Sequence, residues 1–155
     1  MNMNEYSLEG FEQIWARVQG APAPEQPDPD AELLRFLEQE AECTVFERCL
    51  AGRYPGLEAL RRATCRRFQA LREAWFLRTG ERFSPAKQCC VLQGSVLQDL
   101  RRDYLKTKER AERYAAAAGA ASDEELCALY AALARETAEH AEKVKKIIRR
   151  VLDAG

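Results

Sequence analysis

The segment "RETAEHAEKV", residues 135–144, contains the only histidine of the chain, within a long stretch of helix-forming residues. Alternating steps of three and four residues through this stretch predict a helix with one largely apolar face. That face consists of Leu126, Tyr130, Leu133, Thr137, His140, Val144, Ile147 and Val151. Since Thr137 and His140 interrupt an apolar face, we expect His140 to point into the centre of a helical bundle, whereas Glu136 and Glu139 fall outside the face.

Three further long helices are predicted from turn and capping residues. The four predicted helices cover about residues 30–51, 56–79, from Ser95 to before Gly119, and from Ser122 almost to the C-terminus. Gly52 and Gly80 are expected to end the first two helices. Short turns join helices 1 and 2 and helices 3 and 4, so each pair is expected to be antiparallel.

The segment between helices 2 and 3, "ERFSPAKQCCVLQG", is long enough to run the length of the bundle. At about 3.3 Å per residue it reaches roughly 45 Å. The sequence therefore predicts an all-α fold, an antiparallel four-helix bundle over residues 30–155 with one long crossover. We expect Phe83 and either Val91 or Leu92 to contact the bundle surface.

Residues 1–29 are expected to form a separate segment. A short amphipathic helix is predicted over residues 4–19, with Phe11, Ile14 and Trp15 on one stripe. The proline-rich linker "APAPEQPDPD" follows it. The apolar stripe is too small to form a domain, so it docks either on the bundle of its own chain or on a second copy in a homodimer.

Composition limits the possible partners and the cellular location. The 155 residues carry 24 Lys and Arg against 25 Asp and Glu, a balance that favours neither nucleic acid nor an anionic membrane as a partner. The sequence has neither an apolar run of about 18 residues nor a secretory signal, which indicates a cytoplasmic protein with reduced thiols.

Six cysteines are present, but no Cys-x-x-Cys pair, which argues against a zinc ribbon or a rubredoxin-type site. We expect these thiols to act as small buried hydrophobic groups. A redox pair of Cys89 and Cys90 is a further alternative, although adjacent cysteines rarely form a relaxed disulfide.

Every predicted helix face becomes polar at one level of the bundle. The polar residues at this level are Glu40, Thr64, Arg67, Thr107, Thr137 and His140. Buried polar groups need partners, since an unpaired group costs a few kcal/mol. We therefore expect one shared polar layer, in which Glu40 and Arg67 form an ion pair.

The helices resemble those of the ferritin-like superfamily, in particular the rubrerythrin-like diiron carboxylate proteins. The resemblance covers about residues 30–152, in the segments "FLEQEAECTVFERCLA", "LREAWFLRTGERF", "LRRDYLKTKERAERY" and "ETAEHAEKV". It implies one Glu on helix 1, Glu-x-x-His on helix 2, one Glu on helix 3 and Glu-x-x-His on helix 4.

Carried over by position, only two of the ligands implied by the resemblance remain, Glu40 and His140. Thr64 and Arg67 stand at the Glu and His positions of helix 2, and Thr107 and Thr137 replace the remaining carboxylates. Because one carboxylate and one guanidinium are nearly neutral without a metal, the layer is expected to hold no cofactor. The expected function is then a structural or interaction role without catalysis.

Metal binding is the alternative. Iron or another divalent metal would be held by Glu40 and His140, with Cys65 or Cys43 as a further ligand, or by a shifted register that restores Glu136. The protein would then be a diiron-type oxidoreductase, such as a peroxidase, or an iron-handling protein with an atypical site.

Overall fold

All regular secondary structure is helical in the residues that the computed structural model describes, which are 28–87, 89–92 and 94–155. The helices are α1 (Pro29–Arg53), α2 (Glu58–Thr79), α3 (Val96–Ala120) and α4 (Glu124–Ala154), and a 3-10 turn, Pro55–Leu57, precedes α2. The predicted all-α class is thus confirmed. The helix predicted over residues 4–19 and most of the linker lie outside the described residues.

The helix ends follow from local chemistry, with three corrections to the predicted boundaries. One is that α3 does not end before Gly119 but continues through it to Ala120. Gly52 lies inside α1, which continues to Arg53 because the residue before Pro55 is the one forced out of the helical conformation. Asp123, rather than Ser122, caps α4, and its Oδ1 accepts a hydrogen bond from the Leu126 amide at 3.0 Å. Gly80 ends α2 in the left-handed conformation, as predicted.

Contacts between side chains give the direction of α1 relative to α3. Glu40, in the first half of α1, contacts Tyr114 near the end of α3. Arg53, the last residue of α1, contacts Asp99 in the first turn of α3. These two helices are therefore antiparallel.

Side-chain contacts also give the direction of α2 relative to α4. Arg67 contacts His140, and Arg78, close to the end of α2, contacts Asp123 at the start of α4. These helices are antiparallel as well, and a short turn joins α3 to α4. It follows that α2 and α3 run in the same direction, so the segment between them has to travel the length of the bundle.

The crossover lies along the bundle, as predicted. Phe83 is buried, and its ring meets that of Phe68 at a centroid distance of 6.0 Å. Leu92 packs against the apolar residues at the other end, whereas Val91 is 60% exposed. Of the predicted residues, Phe83 and Leu92 are thus the ones whose side chains pack on the bundle, and the carbonyl of Val91 accepts a hydrogen bond from Arg102 of α3 at 3.0 Å.

The thiols of the crossover differ from the prediction. Cys90 forms a disulfide with Cys49 of α1, and Cys89 is an exposed free thiol. The expectation of reduced, buried thiols is wrong for this pair, because the crossover brings the two Cα atoms to 6.4 Å, within disulfide range. The redox pair of Cys89 and Cys90 is likewise not formed.

Two apolar clusters occupy opposite ends of the bundle and leave a polar zone between them. The first consists of Leu33, Phe36, Leu37, Ala41, Leu71, Phe83, Tyr114, Ala117, Leu126, Tyr130 and Leu133. The second consists of Phe46, Leu50, Ala51, Leu57, Leu60, Leu100, Val144 and Ile147. Both lie within the compact unit Leu33–Gly155. Among the described helices, none has the length and apolarity that a membrane span requires.

Candidate functional site in the polar centre of the bundle

The six residues that the sequence assigns to a shared layer are all buried. Glu40, Thr64, Thr107 and Thr137 have no exposed surface, His140 is 2% exposed and Arg67 is 4% exposed. Glu136 and Glu139 are exposed, so the alternative register with Glu136 as a ligand is wrong. The polar zone also contains buried residues that the sequence analysis did not assign to it, namely Glu47, Asp103 and Arg110. Asp99 is buried as well, but it lies toward the end of the bundle, where it contacts Arg53.

Arg67, Thr64, His140 and Glu47 form a closed ring of hydrogen bonds. Nη2 of Arg67 donates to Oγ1 of Thr64 at 3.1 Å and lies 2.8 Å from Nδ1 of His140. The two neutral groups each contact one oxygen of Glu47. The hydroxyl of Thr64 donates to Oε1, and Nε2 of His140 lies 2.8 Å from Oε2. The charges of Arg67 and Glu47 are therefore connected through two neutral side chains.

The ring fixes the tautomer of His140. A guanidinium group can only donate, so Nδ1 of His140 has to accept from Arg67. The proton of the neutral imidazole then resides on Nε2 and is donated to Glu47. Burial and the positive charge of Arg67 lower the pKa of His140 from 6.5 to about 4, so the ring is neutral near pH 7.

Glu40 belongs to a second group of contacts, with residues of α3. Its Oε1 accepts a hydrogen bond from the hydroxyl of Tyr114 at 2.8 Å and lies 3.3 Å from Nε of Arg110. Burial and the charge of Glu40 raise the pKa of Tyr114 well above its usual value, so the phenol keeps its proton. The predicted ion pair between Glu40 and Arg67 is thus wrong, because α3 supplies the cation for Glu40.

A carboxyl pair connects α1 to α3 at the side of the ring. The side chains of Glu47 and Asp103 are hydrogen bonded, and burial raises the pKa values of both groups. The pKa of Asp103 is raised well above its usual value, and the ionised Glu47 raises it further, so Asp103 is the partner that holds the proton. Oδ2 of Asp103 has no hydrogen-bond partner among the described residues.

Cys43 completes this side of the polar zone. Its Sγ and one carboxyl oxygen each of Glu47 and Asp103 all lie within 4.8 Å of one another. Burial raises the pKa of the Cys43 thiol well above its usual value. Cys43 and Asp103 also line a cleft of about 340 Å³ between α1, α3 and the crossover.

The sequence contained a signal for these additional residues. Glu47 follows Glu40 by seven residues, and Arg110 follows Asp103 by seven, so each pair shares a helix face. The face predicted for helix 3 passed through Tyr104 and Thr107. The buried face is wider, because Asp103 and Arg110, each immediately before a residue of that stripe, are buried as well. Comparison of the chain with protein-family models, curated proteins and solved structures finds no match.

Proposed function

We propose that this protein is a ferritin-like, rubrerythrin-like bundle that has lost the diiron chemistry of that family and has a structural or interaction role. The sequence motifs on all four helices support the family, as does the helix order with a long crossover between α2 and α3. Cytoplasmic location and association with another protein, or with a second copy of this chain, belong to the same proposal.

One observation carries the loss of diiron chemistry. Arg67 stands where the family resemblance implies the histidine ligand of helix 2. Its Nη2 lies 2.8 Å from Nδ1 of His140, the residue at the histidine position of helix 4. A fixed guanidinium repels a divalent cation, and the low local dielectric strengthens that repulsion. Both nitrogens of His140 are also engaged, with Arg67 and with Glu47, so metal binding through this ring requires breaking a buried hydrogen bond.

The balance of charge supports the same conclusion. A diiron centre uses four carboxylates to offset two cations. Here Arg110 lies against Glu40, and Arg67 is connected to Glu47 through Thr64 and His140, while Thr107 and Thr137 provide no charge. The buried groups therefore offset one another through protein contacts alone.

Iron content tests the proposal directly. Protein purified from iron-supplemented cells is expected to contain far less than one iron per chain and to lack the absorption of an oxo-bridged diiron centre. The double variant Thr64→Glu, Arg67→His restores the ligand types of helix 2 and should bind more iron than the unmodified protein. About two irons per unmodified chain, with the oxo-bridge absorption, would instead identify a diiron oxidoreductase or an iron-handling protein.

A further inference from the structure

Three different donor groups from α1 and α3 meet at one buried point. Sγ of Cys43, a carboxyl oxygen of Glu47 and a carboxyl oxygen of Asp103 lie within 4.8 Å of one another. The three residues are 6%, 3% and 2% exposed. Cys43 and Glu47 are four residues apart on one face of α1, and Asp103 faces them from α3.

Asp103 provides an independent indication of a ligand. Its Oδ2 is buried and has no hydrogen-bond partner among the described residues. Native proteins leave few buried polar atoms without a partner, because each costs about 1–3 kcal/mol. A cation bound by Asp103 could provide the missing interaction for this oxygen.

Glu47 is already held in the orientation that a metal ligand needs. Thr64 donates to its Oε1 and His140 donates to its Oε2. Each carboxylate oxygen has a second lone pair, and metal-binding carboxylates are commonly held by such hydrogen bonds. The ring that occupies the nitrogens of His140 therefore leaves Glu47 able to bind a cation.

The charges around this point also fit one divalent cation. Binding of the metal would release the protons of Cys43 and Asp103 to solvent and leave four anionic groups around it: the Cys43 thiolate and the carboxylates of Glu40, Glu47 and Asp103. They would be offset by the guanidinium groups of Arg67 and Arg110 and by the two charges of the metal. Because Nδ1 of His140 accepts a hydrogen bond from Arg67, the ring adds no charge in this arrangement, and the whole cluster would have no net charge, which is the favourable case for buried ions.

We propose that Cys43, Glu47 and Asp103 bind a single divalent cation of the zinc type. A thiolate among oxygen ligands favours Zn²⁺ over Ca²⁺ and Mg²⁺, which prefer oxygen alone. Ligand atoms about 2.0–2.3 Å from a tetrahedral zinc ion are roughly 3.3–3.8 Å apart, so shifts of about 1 Å close the site. The fourth position faces the cleft that Cys43 and Asp103 line, and water completes the coordination there.

This site is different from the diiron arrangement, because it uses neither Glu40 nor His140 as a ligand. It is independent of the function proposed above, since one structural cation is compatible with the loss of diiron chemistry. The iron measurement tests that function, whereas zinc and cobalt binding test this site. Failure of one therefore leaves the other standing.

The test is a titration of the full-length protein with Zn²⁺, in competition with a coloured chelator, and a parallel titration with Co²⁺. We expect one Zn²⁺ per chain and, with Co²⁺, a thiolate-to-cobalt charge-transfer band. Cys43→Ser should abolish the band, and Asp103→Asn should weaken Zn²⁺ binding roughly tenfold or more. Cys65→Ser is the matched control, because this half-buried thiol lies on α2 beside Arg61, and it should change neither result.

Three results would overturn the proposal. These are absence of stoichiometric binding, a charge-transfer band that persists in Cys43→Ser, or Zn²⁺ affinity that is unchanged in Asp103→Asn. Circular dichroism establishes whether each variant is folded. If Cys43→Ser fails to fold, two other measurements test the site: Zn²⁺ binding by the isosteric Asp103→Asn variant, and the Tm of the unmodified protein with Zn²⁺. The Tm should rise with Zn²⁺, and an unchanged Tm counts against the site.

Discussion

Nε2 of His140 lies 2.8 Å from Oε2 of Glu47, and this contact joins the only histidine of the chain to the second buried carboxylate of α1. Glu40, two helical turns earlier, is bound instead by Tyr114 and Arg110. The polar zone therefore contains two networks, one centred on Glu47 and one on Glu40.

The first prediction concerns the protonation of His140. Burial and Arg67 lower its pKa to about 4, and the hydrogen bonds place the proton of the neutral ring on Nε2. Because the chain has one histidine, nitrogen NMR reports this residue without assignment. We expect the Nε2–H tautomer at pH 7 and titration near pH 4. An imidazole that titrates near pH 6.5 would contradict the ring arrangement.

The second prediction is the effect of this pKa on stability. His140 has a lower pKa in the folded state than the ordinary value of 6.5, so only the unfolded chain gains a proton between pH 6.5 and about 4. The contribution of the neutral ring to the free energy of unfolding is complete above pH 6.5. It is lost as the pH falls toward 4, and the loss amounts to about 3 kcal/mol.

Urea unfolding at several pH values measures this loss. The raised pKa values of Glu47 and Asp103 have the opposite effect, since protonation favours the folded state when a buried acid is neutral there. The comparison is therefore between the unmodified protein and His140→Gln, which lacks the imidazole titration. If the two proteins lose stability in parallel from pH 6.5 to pH 4, the prediction is wrong.

The third prediction compares two adjacent arginines of α2. Arg67→Ala leaves Nδ1 of His140 without a donor and removes the positive charge that Thr64 and His140 connect to Glu47. Removal of one partner from a buried ionic network typically costs about 3–5 kcal/mol. Arg66→Ala, at an exposed position, is expected to cost less than about 0.5 kcal/mol. Denaturant unfolding of both variants gives the difference, and equal values would show that the ring contributes little.

How far the sequence predicted this centre depends on which helix is considered. In α4 the apolar face is regular, and the step pattern located Thr137 and His140 in the core. In α3 the buried face includes Asp103 and Arg110, which look like solvent-exposed charges in a sequence with so many charged residues. Only the approach of Glu40 and Glu47 from α1 explains their burial, and a single-helix pattern does not contain that contact.

The helix order could be predicted for a different reason. Turn length and the reach of the crossover restrict the topology before any side-chain contact is known. The partner of each charge depends instead on rotation of neighbouring helices by a fraction of a turn. That rotation separates the predicted Glu40–Arg67 pair from the observed contacts of Glu40 with Arg110 and of Arg67 with His140.

The fourth prediction concerns the network of Glu40. Tyr114→Phe removes the hydroxyl that donates to Oε1 of Glu40 at 2.8 Å and leaves the ring packing against Phe36 unchanged. Loss of a hydrogen bond to a buried charge is expected to cost about 1.5–3 kcal/mol. Tyr104→Phe is the matched control, because this half-buried tyrosine packs beside the second apolar cluster. A cost for Tyr114→Phe no larger than for Tyr104→Phe would contradict the proposed role of the hydroxyl.

The fifth prediction concerns the attachment of the crossover to α1. The chain has six cysteines, and the Cys49–Cys90 disulfide uses two, so four thiols should react in protein unfolded without a reductant. In the folded protein the exposed Cys89 should react first, and the buried Cys43 should react slowly.

The disulfide joins residues 41 positions apart, and in the chain-entropy model such a link stabilises the folded state by up to about 4 kcal/mol. Reduction should therefore lower the free energy of unfolding of the unmodified protein but not that of Cys49→Ser, which cannot form the link. Six reactive thiols without reductant, or equal sensitivity of both proteins to reduction, would show that no covalent link attaches the crossover to α1.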